Sequence, residues 1–465
     1  MAALALLDRE RTIARPGFNR WLVPPAALAI HLCIGQAYAF SVFKIPMTTL
    51  LGIAAPVAGD WPQGTIAHLF QVAIAFLGIS AAVFGAWLER VGPRRAMLTS
   101  AVCFSGGFLV GALGIWLHQF WIAVLGYGVL GGIGLGLGYI SPVSTLIKWF
   151  PDKPGMATGL AIMGFGGGAM IASPLSVALM AHFKTATSMG VAQAWVAMGV
   201  IYFVFMMFGT FTVRLPAVGW APRGFSPASV SGRMITTANV TVNSATMTPQ
   251  FWLLWIMLCV NVTAGIGIIE QASPMIQEMF SGKVTAVAAG GFVGLLSLAN
   301  MSGRFLWSSL SDVIGRRATY ATFFLVGPAL YLAIPVTGKA GSVPLFVLSC
   351  AIIITMYGGG FATIPAYLRD LFGTMHVGAI HGRLLTAWSA AGILGPLLVN
   401  TIRQHEIDQG IAKADAYALS MHLMAGLLLV GLISNFLVRP VDTRHHYVRD
   451  GAHSGMGAPL QEGSA

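Results

Sequence analysis

The chain has 465 residues, of which 56% are hydrophobic and only 9% are charged. This composition is typical of an all-α polytopic membrane protein. The formal net charge of +11 does not indicate nucleic-acid binding, because the basic residues are divided among short loops and form no continuous patch with interleaved aromatic residues. They indicate topology and contact with the lipid bilayer. Four cysteines lie singly in different predicted helices, so we expect no disulfide, no metal site and no cofactor.

Apolar stretches of about 20 residues or more predict twelve transmembrane helices. They begin near residues 21, 65, 96, 121, 155, 193, 250, 286, 318, 343, 377 and 415. The longest polar interval, residues 215–249, predicts a cytoplasmic linker between two six-helix bundles, residues 21–214 and 250–438. Residues 1–20 and 439–465 are then the N-terminal and C-terminal cytoplasmic tails.

The distribution of lysine and arginine predicts the orientation of the helices, because cytoplasmic loops accumulate both residue types. With both termini inside, six of the 26 basic residues fall in outward loops and one falls within the membrane, which leaves 19 on the cytoplasmic side. The outward six are Lys44, Lys184, Lys283, Lys339, Arg403 and Lys413. This asymmetry supports an even number of helices and two cytoplasmic termini.

Arg304 is the basic residue within the membrane, in the apolar stretch from Gly290 to Leu310. A cation at the centre of a spanning helix costs roughly 2.5 to 3.5 kcal/mol on insertion scales, so it normally faces a polar cavity and an anionic partner. Its guanidinium can hold a carboxylate bidentately. Asn300 lies one turn earlier on the same face, within reach of a substrate oxygen. The alternatives are an ion pair between Arg304 and Glu270, and an interhelical hydrogen bond for Asn300.

An internal repeat follows the second and the eighth predicted helices. Glu89 and Asp312 are 223 positions apart, and so are Gly92 and Gly315. An acid at a helix end, a turn glycine and paired arginines are expected to latch neighbouring helices on the cytoplasmic face and to release when the two halves rock. The alternative is a pair of ordinary positively charged loops. The predicted gating residues are Glu89, Arg90, Gly92, Arg94, Asp312, Gly315 and Arg316.

The repeat resembles the loop signature of the major facilitator superfamily, although Glu89, Pro93 and Ser308 depart from it. Three further stretches resemble the oxalate/formate antiporter family and the related monocarboxylate transporters: Tyr38 to Phe43, Lys148 to Gly159, and Asn300 to Arg304. The resemblance implies two pseudo-symmetric six-helix bundles, alternating access and a bacterial inner membrane. It also implies that Arg304 is the substrate-binding arginine.

Further site residues follow from the same resemblance. His31 and Tyr38 are two helical turns apart and match cavity-facing positions, while Tyr139, Tyr357 and Phe361 match an aromatic lining around the anion. Ordinary core packing is the alternative for the aromatic residues, and a satisfied neutral histidine for His31. Trp388 stands where the oxalate transporter has a lysine, so one cation remains for the substrate. This departure favours a monocarboxylate over oxalate, and the indole is expected to shape selectivity.

Two residues are candidates for proton coupling. His31 has an unperturbed pKa near 6.5, and Glu270 would accept a proton if substrate drew Arg304 away from it. The alternative for Glu270 is a hydrated position near the outer mouth.

The sequence thus predicts a secondary transporter, not an enzyme, that carries formate, lactate, pyruvate or a similar acid by proton symport or by anion exchange, as a monomer. The alternatives are an oxalate/formate-type exchanger and a transporter-like receptor for an organic acid.

Overall fold

The computed structural model describes residues 6–225 and 234–447. The remainder of the predicted linker, including Ser231 and Arg233, and the predicted C-terminal tail from residue 448 onward lie outside the described residues, as do the first five residues.

Within the described residues the architecture is all-helical, with twelve long helices and two long connections, after α1 and after α6, that contain the short helices Ser41–Met47 and Val242–Thr246. They are α1 (Arg20–Ala39), α2 (Gln63–Val91), α3 (Pro93–Trp116), α4 (Phe120–Trp149), α5 (Pro154–Phe183), α6 (Val191–Thr212), α7 (Pro249–Met279), α8 (Ala286–Ile314), α9 (Arg316–Lys339), α10 (Val343–Phe372), α11 (Val377–Asp408) and α12 (Ala418–Leu437). Over the residues that the structure describes, eleven of these helices are long and apolar enough to cross a membrane.

The two repeated segments form equivalent turns between α2 and α3 and between α8 and α9. Gly92 has φ 85° and ψ 169°, and Gly315 has φ 87° and ψ 152°. This backbone region is accessible essentially to glycine alone, because a side chain would clash there. The repeat therefore encodes two sharp helix connections on one face of the protein, called below the repeat-turn face.

Two helices are irregular next to the centre of the molecule. The α1 helix tightens to a 3-10 conformation over Gly35–Ala39, and a Cβ at Gly35 would lie 2.4 Å from the Phe165 carbonyl oxygen of α5. The α11 helix is interrupted at Leu385, between Val377–Leu384 and Thr386–Asp408. Glycine at position 35 thus permits backbone contact between α1 and α5 at the start of the 3-10 segment that carries Tyr38.

Helices α1 to α6 form one half and α7 to α12 the other, and the halves meet along α5 with α8 and along α2 with α11. Glycine permits the closest approaches. A Cβ at Gly155 would lie 2.1 Å from the Ser308 carbonyl oxygen, and a Cβ at Gly382 would lie 2.1 Å from that of Ala81. The two halves are therefore in backbone contact toward the repeat-turn face.

The described parts of the linker and the tails lie against this face. The short helix Arg9–Thr12 is joined to the start of the linker, because the Leu215 N–H donates to the Thr12 carbonyl oxygen at 2.8 Å. At the other end of the chain, the Tyr447 N–H donates to the Asn239 carbonyl oxygen at 2.7 Å.

Candidate functional site

Glu89 joins the two halves at the repeat-turn face. Its Oε1 accepts hydrogen bonds from the backbone N–H of Gly378, at 3.2 Å, and from the Ser144 hydroxyl, at 3.1 Å, while its Oε2 accepts from Lys148 Nζ at 2.7 Å. Gly378 is at the start of α11, where unpaired backbone N–H groups favour an anion. The carboxylate of α2 therefore caps a helix of the opposite half.

Asp312 makes the equivalent contact in the other direction. Its two carboxylate oxygens accept from the backbone N–H groups of Gly155 and Met156 at the start of α5, both at 2.8 Å, and Oδ1 also pairs with Arg316 at 2.6 Å. Gly155 and Gly378 are 223 positions apart, the same offset as the two acids. The internal repeat in the sequence thus corresponds to a pair of matched contacts between the halves, called below the latch.

The arginines of the predicted gate divide between different roles. Arg316 belongs to the latch and also pairs with Asp370 at 3.0 Å. Arg94 is buried and donates to the carbonyl oxygens of Leu6 and Phe211, which belong to its own half. Arg90 makes no side-chain hydrogen bond or ion pair within the described residues. The latch therefore contains both acids and Arg316, together with Lys148, which the sequence-based gate omitted.

A cavity of about 280 Å³ lies between the halves on the side away from the repeat turns. Its lining includes polar and charged side chains from α2, α7, α8 and the chain that follows α1, namely Lys44, Gln71, Glu270, Ser273, Ser297 and Asn300, and the ring of Tyr38. Glu270 is exposed at this wall. The latch joins the halves at the repeat-turn face, and this cavity separates them on the opposite side.

Arg304 lies beyond the lining of this cavity and is fully buried. Its Nε donates to Asn300 Oδ1 at 3.0 Å, and Nη1 donates to the Ile162 carbonyl oxygen of the other half at 3.4 Å. Nη2 has no hydrogen-bond partner, and none of the ion pairs among the described residues involves Arg304. Asn300 thus connects the cavity wall to a buried guanidinium that lacks an acidic partner.

Aromatic rings surround the Arg304 guanidinium. Its Cζ lies 5.2 Å from the Phe361 ring centre, 5.5 Å from that of Phe165 and 5.9 Å from that of Tyr38. Ring faces carry partial negative charge and therefore attract a cation, although less strongly than a carboxylate does. The Tyr38 hydroxyl also lies 3.0 Å from the Tyr357 hydroxyl, across the two halves.

Trp388 packs at the centre of the aromatic cluster. Its ring centre lies 4.6 Å from that of Phe361, 5.3 Å from those of Tyr139 and Phe165, and 6.3 Å from that of Tyr38. The indole is fully buried, and its N–H has no hydrogen-bond partner in the part of the chain that the structure describes. The residue that replaces the second cation therefore extends the aromatic enclosure.

A model of the Major Facilitator Superfamily matches residues 26–396. The chain belongs to the Major Facilitator Superfamily. It is 26% identical over 384 residues to the oxalate:formate antiporter of Oxalobacter formigenes, covering 81% of this chain and 83% of that protein. It is 23% identical over 394 residues to apicoplast pyruvate carrier 1 of Toxoplasma gondii, covering 74% and 71%. The superfamily transporter FucP, crystallised in the outward conformation, superposes with a TM-score of 0.62 at 15% identity, covering 89% of this chain and 98% of FucP.

The superfamily assignment confirms the all-α fold and the resemblance drawn from the sequence motifs. The chain is a multi-pass membrane protein whose family members are transporters.

The superfamily fold brings all eight predicted substrate-site residues together from five helices. Arg304, Asn300, Tyr38, Tyr139, Tyr357, Phe361 and Trp388 form one contiguous group with His31, whose ring centre lies 5.4 Å from that of Tyr139. Glu270 lies on the cavity wall without contact to Arg304, so the ion pair that the sequence left open is not formed. Its predicted part in proton coupling has no direct contact with Arg304 to support it.

Sequence reasoning missed Phe165 and His381. Phe165 lies in a glycine-rich segment that indicated helix packing. His381 is fully buried and its ring centre lies 5.8 Å from that of Tyr139. A signal for it was present, since His381 and Trp388 are seven positions apart, the same spacing that associated His31 with Tyr38.

Proposed function

We propose that this superfamily transporter carries short monocarboxylates and that Arg304 binds their carboxylate group. The observation that carries the proposal is the state of this side chain. It is fully buried between the halves, and among the described residues no acid pairs with it and no acceptor binds Nη2. A buried charge without a counter-ion costs several kcal/mol. A substrate carboxylate offsets this cost, because it supplies both the negative charge and two acceptor oxygens.

The surroundings of Arg304 support one small anion. Asn300 holds Nε, and the rings of Tyr38, Phe165 and Phe361 exclude water, which strengthens an ionic contact. Trp388 adds no second charge. Lys44 lines the cavity, but Glu270 lines the same cavity. The net charge available to a bound anion is therefore that of one cation, which matches a monocarboxylate and disfavours oxalate.

The latch supports transport by alternating access. Glu89 and Asp312 hold the repeat-turn face closed, and their release would open that face while the cavity side closes. In this mechanism residues 21–214 and 250–438 move as two bundles, and residues 215–249 connect them. The proposal places both termini on the cytoplasmic side of a bacterial inner membrane and treats the monomer as the functional unit, with His31 and Glu270 as the candidate groups for proton coupling.

Uptake into proteoliposomes tests the proposal. Labelled formate, lactate, pyruvate and oxalate are offered with and without an internal pool of the same acid, and with or without an inward proton gradient. Arg304→Lys keeps the charge but loses the bidentate geometry, so we expect carboxylate uptake to fall by about two orders of magnitude. Arg444→Lys, in an exposed segment, is the matched control and should transport normally.

The outcomes separate the candidate functions. Uptake driven by the proton gradient indicates symport, and uptake that requires an internal anion indicates exchange. Similarity to an oxalate:formate antiporter favours exchange as the second candidate mechanism. Oxalate as the preferred substrate would contradict the inference from Trp388. No flux of any of the four acids, or flux that is unaffected in Arg304→Lys, would contradict the proposed function.

A further inference from the structure

Three neighbouring side chains, those of Tyr139, His31 and His381, have buried polar atoms that make no hydrogen bond of ordinary geometry within the described residues. His381 is fully buried, and this holds for both of its ring nitrogens. It holds also for the Tyr139 hydroxyl and for His31 Nε2. An unsatisfied buried polar group costs about 1–3 kcal/mol, so such groups normally have a partner. Their concentration in one place distinguishes this cluster from isolated packing defects.

The cluster adjoins the proposed carboxylate site. Tyr139 lies between the two imidazoles, with ring centres 5.4 Å from His31 and 5.8 Å from His381. Its ring also contacts Phe165, at 5.6 Å, and Phe165 in turn contacts the Arg304 guanidinium. The three groups come from α1, α4 and α11, so they lie where the halves meet, as Arg304 does.

The hydrogen-bonding character of His31 indicates the kind of group that the cluster binds. Its Nδ1 lies 3.2 Å from the Ala27 carbonyl oxygen. A carbonyl oxygen only accepts, so Nδ1 carries the hydrogen and Nε2 of the neutral ring is an acceptor. The Tyr139 hydroxyl can donate, and His381 presents one donor and one acceptor in either neutral form. The cluster thus offers one acceptor, His31 Nε2, beside the donors of Tyr139 and His381. This combination matches a hydroxyl group, which both donates and accepts a hydrogen bond.

We propose that His381, His31 and Tyr139 form a second polar subsite, which binds the hydroxyl group of a short 2-hydroxymonocarboxylate whose carboxylate is held by Arg304. This inference rests on the proposed function and adds the substrate class and a specificity-determining residue, His381. A site built to bond a hydroxyl discriminates strongly against an analogue that lacks it, because the polar groups of the site are then left unpaired.

Lactate and propionate test the subsite, since they share a carbon skeleton and differ by the hydroxyl group. In proteoliposomes, the wild-type protein should show a kcat/KM for lactate on the order of tenfold or more above that for propionate. Tyr139→Phe and His381→Phe should each reduce this ratio severalfold, mainly through a higher KM for lactate. Tyr202→Phe is the matched control, because it removes another buried, unpartnered hydroxyl from a position that packs against Phe104 and Phe108.

The results distinguish this inference from the function on which it rests. A wild-type ratio near one, or a ratio unchanged in both variants, would overturn the subsite while Arg304-dependent uptake still supported carboxylate transport. Failure of the wild-type protein to carry lactate would overturn the subsite alone, whereas no flux of any of the four acids of the first experiment, or insensitivity of uptake to Arg304→Lys, would remove both. If His381→Phe does not fold, Tyr139→Phe decides the question, because it deletes a single oxygen atom that makes no hydrogen bond of ordinary geometry to the described residues.

Discussion

The hydroxyl groups of Tyr38 and Tyr357 lie 3.0 Å apart and join α1 of the first half to α10 of the second. Tyr38 also contacts both the cavity and Arg304, which itself does not line the cavity. The hydrogen bond therefore stands between the internal cavity and the buried guanidinium. We therefore expect a substrate that enters from the cavity to pass this pair of tyrosines on its way to Arg304.

Tyr357→Phe should make substrate binding from the cavity easier. Removing the hydroxyl eliminates one hydrogen bond that has to break, worth about 0.5–1.5 kcal/mol, so we expect the KM for carboxylate uptake to fall about two- to tenfold. Tyr331→Phe is the control, since this buried hydroxyl has no partner to lose. An increased KM in Tyr357→Phe would mean that the hydroxyl itself binds the substrate.

Asp312→Asn should weaken the latch at the repeat-turn face. The neutral amide loses the ion pair with Arg316 and the charge that strengthens the bonds from Gly155 and Met156. In a variant with Ser308→Cys and without the four native cysteines, we expect thiol modification at this buried position to accelerate about tenfold. Asp415→Asn, in an exposed pair with Lys339, should leave the rate unchanged. Equal rates in both variants would show that Asp312 does not control access.

Gly155→Ala should impair closure of the same face. Its Cβ would lie 2.1 Å from the Ser308 carbonyl oxygen, which belongs to the other half, so the halves have to separate to accommodate it. We expect uptake per folded transporter to fall by about tenfold, because one of the two end states is destabilised. Gly426→Ala is the matched control, since a Cβ there meets no atom within 4 Å. Normal uptake by Gly155→Ala would contradict the close approach of α5 and α8.

Trp388→Lys tests the basis of selectivity. The substitution restores a second cation within contact distance of the rings that surround Arg304, so oxalate should compete more strongly and lactate less strongly than in the wild-type protein. Trp388→Phe separates charge from volume, because it shortens the ring without adding charge. The measurement is inhibition of labelled lactate uptake by oxalate. A similar change in both variants would assign selectivity to the size of the indole.

Hydropathy predicted the positions of the helices, and the repeat predicted the turns at Gly92 and Gly315. The predicted gate nevertheless grouped arginines that have different roles. Arg94 corresponds to Arg317 at the offset of 223 positions, and both donate to a carbonyl oxygen of their own half. Arg316 corresponds to Pro93, and it pairs with the latch acid and with Asp370. The direction of a long side chain depends on which carbonyl or carboxylate groups surround it, and these come from distant segments.

The substrate-site prediction succeeded where one helix carries the spacing, as with Asn300 and Arg304. The prediction was incomplete for the aromatic cluster, in which several helices contribute one ring each. Phe165 and His381 were missed, because neither stands in a motif and both gain their significance from Tyr139, a residue of a third helix.

The sequence by itself determined that the chain is a membrane protein of twelve helices, because in lipid each backbone polar group has to find a partner locally and the apolar stretches mark where this happens. It also determined that one arginine is placed among them. Only the tertiary structure decided that Arg304 has no acid beside it, that aromatic rings enclose it and that Glu270 lies elsewhere. These properties depend on contacts between residues as far apart as Tyr38 and Tyr357, separated by 319 positions, which helix packing brings together and local spacing does not encode.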